Sequence, residues 1–249
     1  MTPETQAIAT QFARAWREHR QIDCPSGVRS TDDAYRIQDT VFAARFPGQR
    51  ASAWKAGAAG PAAEPTAAPI GSVLASPALV AANAFHMFGI EGEVAFRLEH
   101  DLPARAEGWS TEELTQAVDE LVVTIEICDT RLTDWKAASA LSRLADFQLN
   151  GALVTGSGTR DWQAVDFGTQ HAELWINGKR DIDNVGTHPL GGPFGILPWA
   201  VEHCARRAGG LRRGDLVTTG SWTGMRFVAP GDTVLVRFPG IGEASVRIG

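Results

Sequence analysis

Ile90-Glu91-Gly92-Glu93-Val94-Ala95-Phe96-Arg97-Leu98 alternates between two classes of side chain with a period of two. That is the pattern of a β-strand with one face in a core. Leu121-Val122-Val123-Thr124-Ile125-Glu126-Ile127-Cys128 ends a second such stretch, apolar enough to be a central, buried strand. Further strands are expected at 152–156, 171–176, 215–221 and 233–238. Asn177-Gly178 carries the type I′ hairpin signal, and Pro239-Gly240 with Gly242 marks a reversal before a last strand, Ala244 to Ile248.

Around these strands the period changes. Thr2 as N-cap and Pro3 at the first helical position open a helix to about residue 20, with Ile8, Phe12, Ala15 and Trp16 on one face. A second helix starts near Ser30 and carries Ala34, Ile37, Val41 and Phe42 inward until Pro47-Gly48 ends it. Ser110 and Glu113 form a capping box for a third, whose expected apolar stripe is Leu114, Ala117, Val118 and Leu121. Residues 56–69, rich in Ala, Gly and Pro, read as a mobile loop. The expected fold class is α+β: a small helical N-terminal cap over residues 1–70 and a strand-rich body over 71–249, together one integrated domain.

Composition removes several functions. With 8 Trp and 11 Phe among 249 residues, the chain has enough apolar surface to fold, which excludes a disordered chain. No apolar run approaches the ~20 residues of a membrane span, and the start lacks a secretory pattern, so a cytoplasmic protein without membrane contact is expected. A formal net charge of −6 argues against nucleic acid as a partner. Cys24, Cys128 and Cys204 are too few and too scattered for a disulfide framework or a zinc site.

The candidate chemistry is acidic. Glu91 and Glu93 leave one face of their strand at Cα atoms ~7 Å apart, and can converge on a cation or simply face solvent. Glu126, in a buried strand, cannot stay charged and alone. It either pairs with a base such as Arg131 or ligates a metal, and carboxylate oxygens suit Mg²⁺ or Mn²⁺. Lys55, in Trp54-Lys55-Ala56-Gly57, is a surface residue, a proton shuttle or a fixed cation for a carboxylate. His188, beside Pro189, reads as a structural hydrogen-bond donor, and Asp129-Thr130-Arg131 with Asp134-Trp135 as scaffolding. Cys128 beside a buried carboxylate is a poor nucleophile.

Taken in order, Ala34-Tyr35-Arg36-Ile37-Gln38, Trp54-Lys55-Ala56-Gly57, Ile90 to Phe96, Asp101-Leu102-Pro103, Ile125 to Arg131, His188-Pro189-Leu190 and Gly214 to Ser221 run nearly the whole length. With Gly231-Asp232 and Gly240-Ile241-Gly242, they resemble the hydratase/decarboxylase branch of the fumarylacetoacetate hydrolase superfamily. The resemblance implies a mixed β-roll, barrel-like, under a helical cap. It implies Mg²⁺ or Mn²⁺ on Glu91, Glu93 and Glu126, with Lys55 as the catalytic residue and Gly71, Leu149 and His188 near substrate. The implied substrate is a 2-oxo acid that reacts through a stabilised enolate, by hydration of a 2-keto-4-pentenoate-type compound. Decarboxylation, tautomerisation, C–C hydrolysis or a catalytically silent partner subunit are the alternatives. A homo-oligomer, also able to join a related decarboxylase or hydratase, is implied as well.

The chain departs from that pattern in places. Ala58-Ala59 replace a Leu-Thr/Ser pair, and Pro69 stands where an acidic residue precedes Gly71. Asp146-Phe147-Gln148-Leu149 replaces Asp-Asn-Ala-Ser, putting Leu149 where a serine meets substrate. Leu190 to Gly214 is longer than usual. Phe147, Leu149 and the Ala/Gly segment therefore predict a less polar pocket and an altered substrate.

Overall fold

The computed structural model describes residues 1–249. Its N-terminal helices are α1 (Pro3–Arg17), where Thr2 Oγ1 accepts from the Thr5 N–H, and α2 (Thr31–Arg45), where the Ser30 hydroxyl accepts from the Asp33 N–H. Strands β1 (Ala53–Gly57), β2 (Thr66–Ile70), β3 (Val73–Ala75), β4 (Ala78–Val80), β5 (Gly89–Leu98) and β6 (Leu102–Pro103) follow. Helix α3 (Thr111–Gln116) leads into β7 (Val118–Cys128), and α4 (Ala140–Ala145) with a 3₁₀ turn at Phe147–Leu149 leads into β8 (Asn150–Thr159). The hairpin of β9 (His171–Ile176) and β10 (Lys179–Val185) precedes α5 (Leu197–Ala208) and β11 (Gly210–Leu211). The chain then adds β12 (Leu216–Thr218), β13 (Arg226–Phe227), β14 (Thr233–Phe238) and β15 (Gly242–Ile248).

The main sheet runs β2-β1-β12-β5-β7-β8-β3, with β13 also on β5; β1–β12 and β3–β8 are parallel, the rest antiparallel. A second sheet runs β10-β9-β14-β15-β4. One core lies between them. Ile90, Val94 and Phe96 of β5 and Ile125 and Ile127 of β7 meet Leu174, Val234, Val236 and Val246 of the second sheet, closed at one side by Leu197, Val201 and Cys204 of α5. A separate cluster seats α1 and α2 through Ile8, Phe12, Ile37 and Val41 on Ala68, Leu144 and Phe147.

Three expectations change. The third helix keeps its capping box but ends at Gln116, and Val118 and Leu121 are on β7; the β-branched run after Ala117 follows the sheet. Residues 56–69 are a loop only over 58–65. Their two ends are the paired arms of β1 and β2, with Ala56, Ala67 and Ala68 buried, because small side chains let α2 approach the sheet closely. The helical part of the expected cap thus closes at Arg45, and Ala53–Gly57 and Thr66–Ile70 belong to the main sheet.

Candidate active site

The face of the main sheet turned away from the large core carries the chemistry. Across β5 and β7, Glu91 stands opposite Glu126 and Glu93 opposite Thr124; on β1 and β12, Lys55 stands beside Thr218, which pairs with Ala95. A period of two sends all these side chains to one face. Farther along that face Ala53, Ala95, Val122, Leu153 and Leu216 form an apolar cluster, so the polar group borders a dry patch.

Lys55 Nζ donates to Glu126 Oε1 at 2.6 Å and to the Gln148 carbonyl at 3.1 Å, and Asn150 Nδ2 donates to the same Glu126 oxygen at 2.9 Å. Glu126 is fully buried, and its other oxygen, Oε2, has no partner. Glu93 accepts from the Thr218 hydroxyl and, at 3.4 Å, from the Gly220 N–H. The Cys128 thiol donates to Glu91 Oε2 at 3.7 Å. Ligand atoms of Glu91, Glu126 and Cys128 lie within 4.8 Å of one another. Glu93 is outside that group, turned toward Thr218.

Burial and the charge of Glu126 push Glu91 above the usual carboxylate range and raise Glu93 to about 8. Burial pulls Lys55 down, but Glu126 and the neighbouring acids outweigh it and hold the amine above its ordinary value. Lys55 is thus the ion-pair partner of Glu126. Burial, then Glu126, drives the Cys128 thiol up, so it stays protonated.

The Gln148 carbonyl reaches Lys55 through an unusual backbone. Phe147, Gln148 and Leu149 have φ of 57°, 53° and 64°, three successive left-handed residues without glycine. Just before them, Asp146 accepts from the Thr130 hydroxyl, from the Arg131 N–H and, at 2.6 Å, from Arg131 Nε. Arg131 also pairs with Asp129 and lies 3.6 Å over the Trp16 ring. It is thus not the partner of Glu126; that partner is Lys55.

A cavity of about 390 Å³ opens over Lys55, Glu91 and Glu93 and is walled by Ala58, Ala59, Gln148 and Ser221. Gln148 Oε1 and Ser221 Oγ are buried without partners. Other expected substrate contacts lie elsewhere. Leu149 lines an adjoining cavity of about 310 Å³, and Phe147 packs with the helices; the polar Gln148 between them lines the site. Gly71 lies against Phe46, whose ring occupies the space of a Cβ. His188 is buried, with Nε2 on the Thr219 carbonyl and Nδ1 accepting from the Leu190 N–H, and desolvation lowers it to about 4; its neighbour Pro189 lines the cavity. Gln148, Asn150 and Thr218 escape sequence reading, since nothing local marks them.

Comparison with known proteins gives this geometry a context. The chain is 29% identical over 158 residues to the 2-keto-4-pentenoate hydratase of Paraburkholderia xenovorans (strain LB400), covering 64% of this chain and 58% of that one. It is 28% identical over 158 residues to a Pseudomonas putida 4-oxalocrotonate decarboxylase, covering 64% and 59%. The match thus spans under two thirds of the length of these relatives. The 4-oxalocrotonate decarboxylase from Pseudomonas putida G7, complexed with magnesium and adipate, superposes with a TM-score of 0.84 at 22% identity, over 100% of this chain and 99% of that one. The model of the fumarylacetoacetate (FAA) hydrolase C-terminal family matches residues 50–249, the stretch that builds both sheets and the acidic face, and the chain belongs to that family.

Proposed function

We propose that this chain is a divalent-metal-dependent enzyme that acts on a short 2-oxo acid, with hydration of a 2-keto-4-pentenoate-type compound as its reaction. The observation that carries the reading is Glu126, a fully buried carboxylate with one oxygen held by Lys55 and the other without a partner, facing Glu91 across the strand pair. An orphaned buried oxygen is costly, and acids whose pKa rises through burial and then mutual repulsion are relieved by a cation. The donor set therefore fits a hard divalent ion, held by Glu91 and Glu126 with Glu93 beside them. The magnesium named with the similarly folded decarboxylase agrees with this. When bound, such an ion supplies a Lewis acid for the carboxylate and 2-oxo oxygens of the substrate.

The side chains supply the rest. Lys55 Nζ spends two N–H groups on Glu126 and Gln148, leaving one directed by its remaining valence for a substrate oxygen. Held as an ammonium by its pairing with Glu126, it steadies negative charge that develops there. Asn150 fixes the Glu126 carboxyl through Oε1, so that Oε2 would be free to hold the ion.

The test is binding before turnover. Calorimetry should show Mn²⁺ binding to the wild type, and oxalate binding that requires Mg²⁺; Glu126→Gln should lose both. Full metal binding by folded Glu126→Gln would remove the proposal. With 2-oxo-4-enoates as substrates, loss of enol absorbance without carbon dioxide is the expected result, and carbon dioxide release would assign decarboxylation in place of hydration.

A further inference from the structure

The cavity continues from Lys55 along β1 and β2 to the segment joining them. Past the Gly57–Thr66 pair its wall is Ala58, Ala59, Ala63 and Glu64. Two residues of strand separate Lys55 from Gly57, ~7 Å, the reach of a few carbons beyond a 2-oxo acid head. The groups at that far end are therefore the ones that read the substrate's tail.

Their chemistry is selective. Lys55 is the only cation lining this cavity, and its charge is already engaged by Glu126. Glu64 places a negative charge at the far end. The two unpartnered atoms on the walls, Gln148 Oε1 and Ser221 Oγ, are neutral hydrogen-bonding groups. Arg143, an alternative anion partner, lines the adjoining cavity. There it donates to the carbonyls of Trp135 and Ala138. A hydrogen bond from Gln148 Nε2 to Thr66 Oγ1 stands between the two spaces, since both residues line each of them.

We propose that Glu64 and Gln148 are specificity-determining residues that restrict the site to a short 2-oxo acid with an uncharged tail. Glu64 repels a second carboxylate, and the Gln148–Thr66 bond stops a longer chain from reaching Arg143. The inference rests on the 2-oxo acid reading above and deepens it. A tail carboxylate here meets a like charge and no free cation, whereas an uncharged tail meets alanines and two neutral polar atoms.

Calorimetry with magnesium present separates the two levels of the argument. Oxalate, which has a chelating head and no tail, reports on the head site alone. 2-Oxopentanoate and 2-oxopentanedioate share chain length and differ by one carboxylate. We expect oxalate to bind and the monoacid to bind about tenfold or more tightly than the diacid. Glu64→Gln should bring the two within about threefold. 2-Oxooctanoate should bind weakly to the wild type and about tenfold better to Gln148→Ala, which removes the bar between the cavities. If oxalate binds but the diacid equals or exceeds the monoacid, or Glu64→Gln leaves their ratio unchanged, the specificity assignment is overturned and the head-site reading stands. If 2-oxooctanoate binds wild type as well as 2-oxopentanoate does, the barrier role of Gln148 falls. Failure of oxalate to bind overturns the head-site reading itself and this inference with it.

Discussion

Replacing Lys55 by Met keeps the length and apolar stem of the side chain and removes only its charge. The Lys55–Glu126 contact is 2.6 Å, with side chains 15% and 0% exposed. At an effective dielectric near 20 such a pair attracts by about 6 kcal/mol. Desolvation of both partners offsets much of that attraction, but once one partner is lost the other remains buried, and the typical cost is about 3–5 kcal/mol. For a chain of this size that lowers the melting temperature by roughly 6–20 °C. The assay is urea unfolding with chelator at about pH 8, for wild type, Lys55→Met, Glu126→Gln and the double variant. The double variant should recover most of the loss, because neither member of the pair is then left charged and alone. The deficit of Lys55→Met should shrink as pH falls toward about 5. The folded acidic cluster, with Glu91 and Glu93 already shifted upward, then takes up protons more readily than the unfolded chain. A loss below about 1 kcal/mol, or one that is the same at both pH values, would refute the claim that this pair holds the cluster together.

Three other measurements bear on the same architecture. Asp146→Asn removes the main anion from buried Arg131 and should cost about 3–5 kcal/mol in urea unfolding, and weaken oxalate binding by releasing the Gln148 carbonyl. His188, lowered to about 4 when folded against about 6.5 when unfolded, binds protons only in the unfolded chain between those values, so its contribution to stability falls as pH falls through that window. His188→Gln keeps a donor for the Thr219 carbonyl and should lack that share of the slope, about 1 kcal/mol per pH unit; parallel curves for the two proteins would contradict it. Gly71→Ala pushes on the Phe46 ring and should cost about 1–3 kcal/mol of stability while the folded fraction keeps its oxalate affinity, whereas an affinity loss would restore Gly71 to the site.

What could be read from the chain depended on the range of the interaction involved. Period-two alternation is local, so Glu91 and Glu93 could be placed on one strand face before any topology was known, whereas Glu126, on another strand, joined them only through the family resemblance; the structure puts Glu91 directly opposite Glu126. The partner of Glu126 could not be found that way. Arg131 is close in sequence, yet the chain turns after Cys128 and carries its guanidinium to Asp146, while Lys55 comes from a strand separated from β7 by β12 and β5. The Ala-rich stretch misled for the opposite reason. Alanine and proline have low strand propensity, but here lateral pairing with β12 and the cover of α2 decide the conformation. Gln148 shows the same limit at one-residue resolution: in a strand its neighbours Phe147 and Leu149 would share a face, and the left-handed run instead sends the three side chains to separate surroundings.

That run explains why the scaffold and the site are one device. A left-handed conformation costs a residue with a Cβ about 1–2 kcal/mol, so three in succession persist only if both flanks are held. They are. Asp146 is fixed by Thr130 and Arg131, whose guanidinium is itself held by Asp129 and stacked on Trp16 of α1. Asn150, on the other flank, is bound through its side chain to Glu126. The strained turn therefore joins two anchored points and delivers one carbonyl to Lys55, which together with Glu126 Oε1 leaves the ammonium little freedom to swing. The Asp-Thr-Arg segment touches no cavity atom, but without it the turn would relax and the second restraint on Lys55 would be lost. By this argument the helical cap, reaching the site through Trp16, Arg131 and Asp146, governs how rigidly the charge is aimed, and substitutions in α1 should register in the acidic cluster although no residue of α1 lines the cavity.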